Sequence, residues 1–130
     1  MRIIWIALVA LMASSCSQNH EEALALNNGE KWAVNEEMKP FINESMEVLQ
    51  AYVDDKDNDY KALAAKLNTQ NNALIQSCTM KGASHDELHK WLHPHLKLVE
   101  SLDEAENVDG SKSIITELQT SFKTYNTYFQ

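Results

Sequence analysis

The stretch CTMKGASHDELHKWLHPH, residues 78–95, sets a single glycine between two runs whose apolar residues recur at helical spacing. Upstream, Tyr60, Leu63, Leu67, Leu74 and Cys78 form one stripe; downstream, Leu88, Leu92, His95, Val99 and Leu102 form another. Steps of three and four residues place side chains on one face of an α-helix. Gly82 stands where a left-handed residue ends a helix, and Ser84 with Glu87 has the spacing of a capping box that opens the next. The stretch therefore predicts an antiparallel helical hairpin, with helices over about 59–80 and about 85–102.

Working outward, the same periodicity predicts two more helices. One spans about 35–55, with Asn35 as its candidate cap, Pro40 tolerated near its start, and Met38, Ile42, Met46, Leu49 and Val53 inward. The other spans about 111–129, with Ile115, Leu118, Phe122, Tyr125 and Phe129 inward. DDKDND (54–59) and DEAENVDGS (103–111) read as connections, Pro94 is expected to kink its helix, and Trp32 and Val34, after the Asn28-Gly29 turn, are expected to cover one end. The fold class is all-α, an antiparallel up-down-up-down four-helix bundle forming one domain over residues 35–130.

The N-terminus has a different character. Arg2, an apolar run from Ile3 to Ala13 and small residues before Cys16 have the pattern of an export signal, too short for a permanent membrane span. Ala13-Ser14-Ser15-Cys16 looks like a bacterial lipobox, although Ala13 takes the place of the usual leucine. The expected organisation is a signal peptide over 1–15, then a lipidated Cys16 and a tether over 16–34 that includes His20. Ser17, where aspartate would favour inner-membrane retention, points to the outer membrane. Glu21-Glu22 loosely resembles a surface-export signal, and both membrane faces stay open.

The formal charge of −8, with no basic cluster, argues against nucleic acid and against adsorption to anionic lipid, so membrane association is expected through the lipid alone. With Cys16 lipidated, Cys78 is the only remaining thiol of an exported chain and has no intramolecular partner. It is a small core residue, a ligand for a soft metal, or one half of an intermolecular disulfide.

On the predicted hairpin Cys78, His85 and His89 converge across the turn, and Met80 swings over the same end. Thiolate, thioether and imidazole together suit Cu(I); Zn(II) would need a carboxylate such as Asp86 or Glu87 as a further ligand. Haem is a further alternative, with Met38 or Met46 opposite His85, His89 or His95, though no CxxCH sequence is present. His93 is expected in solvent, and His95 inside, satisfying a backbone group freed at Pro94. The competing reading is a metal-free structural or protein-interaction module whose Cys78 merely fills the core. No enzyme is expected: HExxH, a nucleotide-binding glycine loop and a serine elbow are all missing, and a Cys78–His85 thiol pair has no identifiable oxyanion donor.

With Cys78, Met80, Lys81-Gly82, His85, Leu88, His89, Trp91 and Leu92 in view, the chain resembles a group of small uncharacterised Gram-negative helical-bundle lipoproteins. More distantly, it is similar to the helical domain of periplasmic heavy-metal (copper) efflux adaptor proteins. In those domains a Lys-Gly-x-x-His step opens a helix and a methionine follows one turn later. Lys81-Gly82 and His85 match this step, His89 stands in the methionine's place, and Cys78 or Met80 would replace an upstream methionine. The resemblance implies metal handling in the envelope, with Cys78, Met80, His85 and His89 as ligands.

Overall fold

The computed structural model describes residues 23–130; the expected signal peptide, Cys16, His20 and the Glu21-Glu22 pair lie outside the described residues. Four helices follow one another: α1 (Lys39–Asp54), α2 (Tyr60–Ser77), α3 (Gly82–Glu104) and α4 (Val108–Tyr128). Each packs on the next, which makes the all-α four-helix bundle expected from the periodicity. Two hydrogen bonds fix relative directions. The Tyr60 hydroxyl at the start of α2 donates to the Ala105 carbonyl just beyond α3 (2.8 Å), and Asn35, ahead of α1, donates to the Ser77 carbonyl at the end of α2 (3.1 Å). Both neighbouring pairs therefore run antiparallel.

The core is built from the inner stripes. Met38, Ile42, Leu49, Leu63, Leu67, Leu74, Leu88, Leu92, Val99, Leu102, Ile115, Leu118, Phe122, Tyr125 and Phe129 are all buried. Burial of this many large side chains is the main stabilising term, at about 1.5–3 kcal/mol each before conformational entropy is subtracted. Ser45 takes a buried place on α1 that periodicity gave to Met46, and its hydroxyl is satisfied by the Phe41 carbonyl (2.8 Å). Among the described residues no helix is long and apolar enough to cross a membrane.

Several predicted helix ends move. Asn35 does not cap α1, which starts four residues later with Pro40 in its first turn and Met38 as an N-cap that makes no side-chain hydrogen bond. Asn107 caps α4 by accepting the Gly110 N–H (2.8 Å), so α4 begins three residues earlier than expected and only 105–107 separate it from α3. The capping box is not formed. Ser84 lies inside α3 and donates to the Lys81 carbonyl, while Glu87 accepts the Ala25 N–H (3.2 Å) and pairs with Lys90 (2.6 Å). Its carboxylate is drawn off by the segment that crosses α3.

That segment turns sharply at Asn28 (φ +52°) and Gly29 (φ +87°). A left-handed conformation at two consecutive residues is the signature of a type I′ turn, for which Asn-Gly is the favoured pair. Trp32 and Val34 then lie beside Phe129 and Gln130, joined by a parallel bridge, and cover one end of the bundle as expected.

Candidate metal centre

The chain between α2 and α3 departs furthest from expectation, and the departure shapes the site. α2 stops at Ser77, and Cys78 is its extended C-cap (ψ 121°) rather than part of its last turn. Asn35 explains why. Its amide donates to the Ser77 carbonyl and its carbonyl oxygen accepts the Thr79 N–H (3.3 Å), so one side chain from ahead of α1 satisfies backbone groups on both sides of Cys78. Backbone groups at a helix end need partners from outside the helix, and here a neighbouring segment supplies them. Gly82 is left-handed as expected (φ +72°), but it opens α3 instead of closing α2. A residue with a Cβ would be strained there.

Cys78 and Met80 consequently sit on an extended link, facing the first turns of α3. Both are half-buried and pack against the core. Together with His85 and His89 they line one cavity of about 220 Å³, and all four candidate ligands meet there. A third sulfur, the fully buried Met38, lines the same cavity, with Ile75, Leu88 and Leu92 as its apolar walls. Sequence periodicity placed Met38 in the core of α1 but gave no sign that it shares a space with Cys78. That proximity follows from Asn35, three residues away, gripping the end of α2.

The imidazoles follow one another along α3, each tilted against the next. The ring centroids of His85 and His89 are 4.2 Å apart, and those of His89 and His93 are 4.9 Å apart. His93 is exposed, as anticipated. The His89 ring is held below its ordinary pKa, first by burial and then by the neighbouring His85 and His93, with Asp86 opposing the shift. A neutral imidazole is the form that binds metals, so this environment suits ligation near neutral pH.

The arrangement falls short of a formed coordination sphere. Among the described residues, no three His, Cys, Asp or Glu side chains are gathered closely enough to hold an ion. The carboxylates proposed for zinc do not line the cavity: Asp86 is exposed, and Glu87 is engaged by Ala25 and Lys90. Haem fares no better. Met46 lines a separate groove with Gln119 and Phe122, and a cavity of about 220 Å³ is below the roughly 300 Å³ lower bound for small-molecule pockets.

His95 departs from its expected role. Its Nδ1 lies 2.9 Å from the Ser121 hydroxyl of α4, its ring is stacked on Trp91 (4.8 Å, 24°) and edge-on to Phe122 (4.8 Å), and its Nε2 has no partner among the described residues. It joins α3 to α4 and does not serve the backbone at Pro94, through which α3 continues unbroken. Burial alone pushes its pKa down to about 4. An open groove of about 610 Å³ runs beside it, larger than the sulfur-lined cavity but without a sulfur ligand.

No family model, no curated protein and no solved structure matches the chain.

Proposed function

We propose that this protein is a lipid-anchored component of the bacterial envelope that binds a soft metal ion, Cu(I) foremost, for metal handling or sensing and without catalysis. One observation carries the reading: Cys78, Met80, His85 and His89, together with the buried Met38, line a single small cavity. Thiolate and thioether donors select Cu(I) over harder ions, and three sulfurs from three separate positions give this cavity that chemistry. The extended link at Cys78 and Met80 is the part that closes on the ion, since neither residue is held in a helix. The thiol loses its proton on binding, so uptake releases a proton and strengthens as pH rises.

Chelator competition for Cu(I) under reducing conditions tests the proposal. One stoichiometric site is expected, weakened by about tenfold or more in both Cys78→Ser and His85→Ala, a loss of at least about 1.4 kcal/mol. Binding indifferent to both substitutions sinks it. The absence, among the described residues, of three gathered nitrogen, oxygen or thiol ligands favours the competing reading, a metal-free interaction module. That reading expects no Cu(I) affinity above that of scattered surface histidines.

A further inference from the structure

His93 belongs to none of the ligands assigned above, yet it continues their ladder into solvent. His85, His89 and His93 follow one another at intervals of one helical turn, and His89 is the middle ring of both contacts. Two imidazoles chelating one ion through nitrogens about 2.0–2.1 Å from it place their ring centroids about 4.5 Å apart for a right angle at the metal and about 5.2 Å for a tetrahedral one. The His89–His93 separation of 4.9 Å falls inside that window, and the rings are tilted by 54° instead of being stacked flat. The His85–His89 separation of 4.2 Å falls just short of it. The outer separation is therefore compatible with two imidazoles sharing one ion, whereas the inner pair would have to open slightly. The outer pair also offers nitrogen only. Cys78, Met80, His85 and His89 line the inner cavity, and His93 does not.

We propose that His89 and His93 form a second, solvent-facing site for a borderline divalent ion such as Ni(II), Zn(II) or Cu(II), and that this site competes with the inner soft-ion site for the shared imidazole of His89. Imidazole suits these ions, and water completes the coordination at an exposed helix face. The outer site stands on the geometry of α3 alone; the competition rests on the Cu(I) reading above. A neutral imidazole has one nitrogen lone pair to give, its other nitrogen carrying the proton, so filling the inner site removes one of the two outer ligands.

The test is a Ni(II) titration of the full chain by calorimetry, since Ni(II) needs no redox control. One site is expected, weakened by about tenfold or more in His93→Ala and in His89→Ala, and changed by less than about twofold in Cys78→Ser. Ni(II) should also broaden the NMR ring signals of His89 and His93 and spare those of His95. An affinity unchanged in His93→Ala, or broadening that misses His93, overturns the outer site. The titration is then repeated on protein loaded with one equivalent of Cu(I) under reducing conditions. A fall of about tenfold in Ni(II) affinity is expected. If Cu(I) binds and the Ni(II) affinity holds, the competition is overturned and the outer site stands. If Cu(I) does not bind while His93→Ala still abolishes the Ni(II) site, the soft-metal reading fails together with the competition, and the divalent site remains.

Discussion

Helix α3 carries two kinds of histidine. His85, His89 and His93, four residues apart, form a ladder that runs from half-buried to exposed. His95, two residues beyond the ladder, is 1 % exposed and sealed between Trp91 and Phe122. An α-helix turns about 100° per residue, so two positions carry a side chain to nearly the opposite face. The ladder keeps its rings at least partly in solvent. His95 gives up that exposure and becomes a polar strut between α3 and α4. The same side chain is thus a ligand candidate or a structural element according to its helical phase.

The largest expected effect falls on the sealed side. Trp91 is buried, donates from its indole N–H to the Ser121 carbonyl (2.8 Å), and touches His95, Phe122 and Tyr125. Trp91→Ala should lower unfolding stability by about 3–5 kcal/mol in chemical denaturation. A loss under about 1 kcal/mol would mean that the α3–α4 seam closes over the gap, and the contrast between the two kinds of histidine would lose its basis.

Acid comes next. The unfolded His95 ring takes up a proton near pH 6.5, the buried ring only near 4. Between those values the unfolded chain binds more protons, so stability falls as pH drops through the window. The full shift corresponds to about 3 kcal/mol. Wild type and His95→Phe, compared by denaturation at pH 7 and at pH 4, should differ by about that much in their acid sensitivity, with the phenylalanine variant the flatter. Parallel curves would show that His95 is solvated or finds a partner for Nε2.

The smallest effect sharpens the other side. His93→Ala should change stability by less than about 0.5 kcal/mol, because the ring is exposed and seals nothing. A larger loss would show that the ladder is itself a structural stack.

The sequence made the four helices legible because each presents an apolar stripe at helical spacing, and burial of such a stripe overrides the rest. Asp59 caps α2 through the Ala62 N–H at the residue where the periodicity opens that helix, whereas Asn107 caps α4 through the Gly110 N–H inside a stretch that reads as a connection, so that local contact went unread. The candidate ligands were legible as residue types, and Cys78, Met80, His85 and His89 do line one cavity. Their backbone was not. Ser84 and Glu87 have capping-box spacing, yet Glu87 is taken by the crossing segment at Ala25. Cys78 continues the apolar period of α2, yet Asn35, more than forty residues earlier, draws the chain out of the helix just there. Met38 joins the cavity for the same reason. These three features come from contacts between segments remote in sequence, which no local pattern records.

The parallel bridge at Trp32 and Phe129 bears on mechanics. Trp32 N–H donates to the Tyr128 carbonyl (2.8 Å), Gln130 N–H to the Trp32 carbonyl (2.9 Å) and Val34 N–H to the Gln130 carbonyl (2.9 Å). Tension arriving along the chain ahead of Trp32 meets these three bonds before it can reach α1. They span three consecutive positions of one short ladder and share the load, so they resist as a clasp and yield together. Force is thereby led into the end of α4, away from Asn35 and Met38, and the cavity they help to shape lies behind a strain relief.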